Sequence, residues 1–183
     1  MIYDLPISIN INGKDYLIRN KGDYRVVLDV ITALNDPNLK DYEKALCILV
    51  IFYEKYNQIK PKNKKEAVEK AMEFISYSIK GNNDNAIKLM DWEQDFPLIV
   101  APINRVIGTE IRALEYLHWF TFLSAYLEIG ECSFQFIVGI RSKLLKGEKL
   151  EKYERKFLRE NEELVKFDFD LNEEEKAILD SIV

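Results

Sequence analysis

The sequence carries only two cysteines, one histidine, seven glycines and five prolines in 183 residues. Each scarcity removes a class of protein. Cys47 and Cys132 lie among apolar neighbours, form no Cys-x-x-Cys pair and offer no disulfide framework, so both read as small reduced hydrophobes. The shortage of glycine and proline argues against a loop-rich fold, and neither common glycine-rich phosphate loop is present. No apolar run approaches the roughly 20 residues that a membrane helix needs. The segment 1–12 alternates apolar and polar residues and lacks the basic start and continuous apolar stretch of a signal peptide, which points to the reducing cytosol. Positive charge is also short. Twenty-six basic residues against thirty-one acidic ones leave a net charge of −5, so no global field draws the chain to phosphate backbones. The lysines at 60–65 and 143–156 read as a connector and solvated helix faces, and nucleic acid is not expected as a partner.

What is present is a core. Hydrophobic residues make up 48% of the chain and charged residues 31%, a balance that supports a buried interior and a charged surface. The start is a β signal: Ile7, Ile9 and Ile11 alternate with polar neighbours, and Asn12-Gly13 precedes Tyr16-Leu17-Ile18, the pattern of a tight hairpin. A lone hairpin is unstable in water, so its isoleucine face is expected to rest on helices. Asp23 is positioned to cap a helix running to about Leu34, with Val27, Leu28, Ile31 and Leu34 in helical register. Asn35-Asp36-Pro37 stops it. A second helix, 41–56, is apolar nearly all round at its centre and is expected to be buried. A third carries Ala67, Ala71, Phe74 and Ile75 on one face, and 81–84 reads as a loop. One helix is expected over 91–112, kinked or restarted at Pro102. An aromatic helix over 115–129 would end at Gly130. Ser133 would cap a helix to about Leu145, and a charged helix would span 149–166. The fold expected is mainly α, a compact multi-helix domain with an N-terminal β-hairpin. The domain should cover 1–167, with 168–183 as an acidic tail or short helix.

Candidate chemistry is sparse. His118 sits in Tyr116-Leu117-His118-Trp119-Phe120 with no nucleophile signature beside it, so it reads as a hydrogen-bonded structural histidine. Asp91, Glu93 and Asp95 form the tightest carboxylate cluster. A metal-dependent enzyme using Asp91, Asp95 and Glu110 is one alternative, but acids at a helix start need no ligand. No metal site, no cofactor and no catalysis are expected. Tyr116, Trp119, Phe120, Phe122 and Tyr126 cover several faces of their helix, which usually means core, although part of such a set can form a groove for a partner's helix.

The order of several short segments resembles a family of small proteins of phages and prophages of Gram-positive bacteria, encoded in the tail-morphogenesis region before the tape-measure gene. The segments are Leu5-Pro6 with Asn12-Gly13, then Asp36-Pro37, then Asp91-Trp92-Glu93-Gln94-Asp95. Leu117-His118-Trp119-Phe120 follows, and Phe134-Gln135-Phe136-Ile137 with Arg141 closes the series. The chain departs from the family pattern at Phe120, where a second tryptophan is usual, and at Thr121, where a basic residue is usual. The resemblance implies a non-enzymatic tail-assembly chaperone in the bacterial host's cytoplasm that binds the tape-measure protein. The alternative is a head–tail or tail adaptor kept in the virion. Trp92, Phe96, His118, Trp119 and Phe122 are the candidate partner-binding residues, and self-association is plausible for so aromatic a domain.

Overall fold

The computed structural model describes residues 4–76 and 89–166. It is mainly helical, with eight α-helices and one two-stranded antiparallel sheet among those residues. The contacts divide the chain into two interleaved units. One is drawn from Met1–Asn82 and Ile103–Glu128, the other from Asn83–Pro102 and Ile129–Val183, each as far as the described residues go. The expected acidic tail, 168–183, and the loop at 81–84 lie outside the described residues.

The first unit begins with the expected hairpin. Strands β1 (Ser8–Ile11) and β2 (Lys14–Leu17) pair Ile11 with Lys14 and Ile9 with Tyr16. Asn12 and Gly13 form the turn at φ 48° and 78°, the left-handed pair that a two-residue hairpin demands. Asn10 locks the turn by accepting from the Gly13 N–H and donating to Asp15. The isoleucine face is only partly buried: Ile11 is fully enclosed, Ile9 half-buried and Ile7 44% exposed. Tyr16 on the second strand and Ile18 just past its end are also buried.

Helix α1 (Tyr24–Asn35) starts at Asp23, whose carboxylate accepts from the Arg25 N–H. It ends at Asp36, which is extended as a residue before proline must be. Helix α2 (Asp41–Phe52) is shorter and more one-sided than expected. Ile48, Leu49 and Phe52 are buried, whereas Tyr42 and Leu46 are exposed. Its end is imposed from elsewhere. The Arg19 guanidinium donates to the carbonyls of Val50, Ile51 and Tyr53, satisfying the last turn. Tyr53 then turns extended and bridges Ile18. Helix α3 (Lys64–Ile75) buries Ala67, Ala71, Phe74 and Ile75, the four residues its periodicity singles out.

Helix α4 (Trp92–Ile107) stops short of Arg112 and remains one helix through Pro97 and Pro102. Each proline removes one N–H from the ladder. The division between the units falls at Pro102–Ile103, inside this helix. Helix α5 (Trp119–Leu127) begins four residues later than expected, because Leu114 and His118 are extended. In the second unit, α6 (Ser133–Leu145) is preceded by Cys132 at the N-cap, not by Ser133. The charged helix expected over 149–166 is broken at Asn161 into α7 (Lys152–Glu160) and α8 (Glu162–Val165). Ile137, Ile140, Leu144, Leu150 and Val165 form this unit's core, with Leu98, Phe136, Phe157 and Leu158 packed against it.

Candidate functional site

The segments singled out in the sequence become two sets of polar contacts, one in each unit. In the first unit Asp23 is the hub. One carboxylate oxygen accepts from the Arg25 backbone and guanidinium, and the other accepts from the Leu117 N–H at 2.9 Å. Leu117 returns the contact by accepting from the Tyr24 N–H at 2.9 Å. A helix cap on α1 therefore also holds the chain that enters α5.

His118 caps α5. Its Nδ1 accepts from the Phe120 N–H at 3.1 Å, so the ring proton resides on Nε2, which donates to the Pro6 carbonyl at 3.1 Å. Burial pushes the imidazole below its ordinary range, opposed by the Pro6 hydrogen bond and the Asp23 charge. The ring packs edge-on against Phe74 and Phe120. Gly22, at φ +79°, leaves little room for a side chain: a Cβ there would sit 3.1 Å from His118 Nε2 and 3.2 Å from Phe74 Cζ, so these rings would have to give way by a few tenths of an ångström. Nothing in the sequence pattern marks Gly22 beyond a helix start, so its packing role appears only in three dimensions.

In the second unit Asp91 and Asp95 are spoken for by the protein itself. Asp91 caps α4 by accepting from the Glu93 and Gln94 N–H groups. Asp95, 1% exposed, accepts two bonds from the guanidinium of Arg141, 2% exposed, at 2.7 and 2.9 Å. It also accepts from the Asp91 N–H at 3.0 Å. Arg141 spends its remaining hydrogens on the carbonyls of Leu89, Leu164 and Val165. Gln94 donates to the Lys166 carbonyl beside them. The acidic segment and the Phe134–Arg141 segment are thus two halves of one buried ion pair. Glu110, the third carboxylate of the metal alternative, belongs to the other unit. There Arg112 holds it well below the usual carboxylate range, and Asn104 donates to it. Among the described residues no trio of His, Cys, Asp or Glu is placed to hold a metal ion.

The candidate partner-binding residues separate in the same way. His118, Trp119 and Phe122 are buried core. Trp119 donates its indole N–H to the Ile75 carbonyl, and Phe122 stacks on Tyr24. Their side chains pack the first unit and present no outward face in this conformation. Trp92 and Phe96, on α4 in the second unit, are half-buried. Of the aromatic set Tyr116 is exposed, and further exposed apolar residues lie outside that set. Tyr42 and Leu46 stand one turn apart on α2, and Leu5, Ile7 and Leu17 are exposed at the hairpin. No described helix is long and apolar enough to cross a membrane.

Neither the curated proteins nor the solved structures yield a match to this chain. A family model does, described as Bacteriophage Gp15 protein, and it matches residues 1–167. That span ends one residue past the carbonyls clamped by Arg141 and Gln94. It contains every segment of the Asp23–His118 and Asp95–Arg141 sets, so both fall inside what the family model describes. The chain belongs to the Bacteriophage Gp15 protein family.

Proposed function

We propose that this phage protein is a tail-assembly chaperone, binding the tape-measure protein in the cytoplasm of a Gram-positive host while the tail tube grows. It performs no chemistry of its own in this reading. The observation that carries the proposal is the family match over 1–167, joined to the order of segments that resembles tail-morphogenesis proteins. The polar clusters are consistent with a scaffold: their donors and acceptors are consumed in capping helices and pairing buried charge.

A tape-measure helix exposes an apolar stripe and needs a reversible cover. On α2, Tyr42 is 66% exposed and Leu46 48% exposed, with Val50 half-buried one turn further on. These three follow i, i+4, i+8 spacing and share a face. They are the contact we favour over the buried His118, Trp119 and Phe122, with Trp92 and Phe96 as second candidates.

The test is co-expression with the tape-measure protein encoded nearby, followed by pull-down and size-exclusion chromatography. A soluble complex, with the tape measure insoluble alone, supports the chaperone. If nothing co-elutes, the reading fails. Mass spectrometry of purified particles supplies the other arm, because a chaperone is absent from them and a virion adaptor is present.

A further inference from the structure

Along α3 and α8 the cations meet acids of their own helix: Lys65 with Glu69, Lys70 with Glu73, and Lys166 with Glu162. Helix α7 is built differently. Lys152 and Lys156 stand four residues apart, as do Arg155 and Arg159, and like charges at that spacing weaken a helix. All four residues are exposed, and helical geometry gathers them within an arc of about 100°. The acids of the helix do not neutralise this face. Glu154 is buried and accepts from Lys143 and from the Glu151 N–H. Glu160 approaches Lys156 only to 3.9 Å. Glu151, one turn before Arg155, forms no ion pair with it. The arginines show the contrast most clearly. Arg19, Arg25, Arg112 and Arg141 each hold carbonyls or a carboxylate. The side chains of Arg155 and Arg159 have no hydrogen bond or ion pair among the described residues.

The counter-charge is in the same chain. Residues 168–183 contain six acids and one lysine, a surplus equal to the net charge of −5 of the whole chain, so residues 1–167 are balanced. Five of the six acids, Asp168, Asp170, Glu173, Glu174 and Glu175, fall in its first half. The segment follows closely on α8, which packs against α7. Six extended residues reach about 20 Å, more than the length of about 13 Å of a nine-residue helix. Single exposed ion pairs are weak, but a tethered segment meets its site at a high effective concentration. Apolar contact is on offer as well. Tyr153, 61% exposed, stacks on the half-buried Phe136 one turn from Lys156, and Phe169 and Leu171 alternate with Asp168 and Asp170.

We infer that the face of Lys152, Arg155, Lys156 and Arg159 is the docking site of the chain's own acidic segment 168–183, which masks it. Docking relieves the like-charge repulsion along α7 and gains the attraction of the acids. The inference stands whether or not the chaperone reading does.

The experiment is carbodiimide cross-linking of the full chain at low concentration, which joins carboxylates to lysine amines, followed by size exclusion and peptide mapping by mass spectrometry. In the monomer fraction, carboxylates of 168–175 are expected to join Lys152 and Lys156 at least about fivefold more often than Lys146, which is exposed in the same unit. The yield should fall as salt rises. Arg155→Gln/Arg159→Gln keeps both reporter lysines and should lower the yield about fivefold, the scale of two exposed ion pairs removed. Lys62→Gln/Lys64→Gln makes the same change in net charge in the other unit and should leave the yield as it is. Circular dichroism melting keeps the comparison to folded proteins. If the arginine variant does not fold, Asp168→Asn/Asp170→Asn removes the pairs from the other side, with the same loss expected at Glu173, Glu174 and Glu175. The inference is overturned if Lys146 is joined as often as Lys152 and Lys156, or if the arginine variant cross-links like the parent. Cross-links confined to dimers also overturn it, because a second copy then supplies the segment.

Discussion

Removing one partner of the Asp95–Arg141 pair is the sharpest perturbation the structure offers. Both side chains are essentially excluded from water and share two hydrogen bonds at 2.7 and 2.9 Å. Asp95→Leu leaves the guanidinium buried with no counter-charge, a loss of about 3–5 kcal/mol by the usual scale for a broken buried pair. A domain of this size is stabilised by only about 5–15 kcal/mol, so the second unit should approach instability. Arg141→Met should cost at least as much. It strands the Asp95 carboxylate and also withdraws charge-assisted donors from the carbonyls of Leu89, Leu164 and Val165. The double variant removes both charges together, so it should be milder than the sum of the singles by about 2–3 kcal/mol. It should still fall short of the parent, because the three carbonyls remain without their donor. Urea denaturation gives the stabilities, and hydrogen exchange in α4 and α6 shows where the loss falls. A cost below about 1 kcal/mol for Asp95→Leu, or strictly additive single effects, would refute the reasoning.

Other perturbations test the first unit and its surface. The His118 imidazole is neutral when folded and its affinity for protons is lowered by burial, so the unfolded chain binds the extra proton. Its contribution is fully present above the unfolded pKa of about 6.5 and is lost as pH falls through the lower folded value. The melting temperature should drop with acid, and His118→Asn should flatten that dependence. An unchanged pH profile in the variant would show that another group controls it. Gly22→Ala should cost about 2–4 kcal/mol, combining left-handed backbone strain with contact against His118 and Phe74. Gly13→Ala has a similar φ but open space, and should cost only about 1–2 kcal/mol. Equal urea midpoint shifts for the two would remove the packing argument. Tyr42→Ser and Leu46→Ser should leave stability within about 0.5 kcal/mol, as exposed positions do, yet reduce tape-measure co-purification. Retained co-purification would move the contact off α2.

Local chemistry made part of the fold legible from sequence. Asn12-Gly13 specifies a hairpin turn because those two residues tolerate positive φ, and both adopt it. Asp23 caps α1 through its own neighbour's N–H, and Pro37 ends the helix through the conformation it imposes on Asp36. The four-residue face of α3 follows from periodicity alone. Where the expectation missed, a distant residue intervened. Helix α2 ends at Phe52 because Arg19, more than thirty positions upstream, takes its last carbonyls. Helix α5 starts late because the Asp23 carboxylate, 94 residues away, takes the Leu117 N–H, and His118 next to it is extended.

The candidate site divides along the same line. The sequence determined that this is a helical phage-family chain with an N-terminal hairpin, because those properties rest on spacing, turn residues and segment order. It also singled out the segments that contain Asp95, His118 and Arg141. Their roles were decided only by tertiary structure, since a carboxylate at a helix start looks the same whether it faces a cation, water or an arginine 46 residues away. Burial likewise assigns Trp119 and Phe122 to the core and leaves Tyr42 and Leu46 outside. Which face of an aromatic helix is covered depends on what packs against it, and that is a property of the assembled fold.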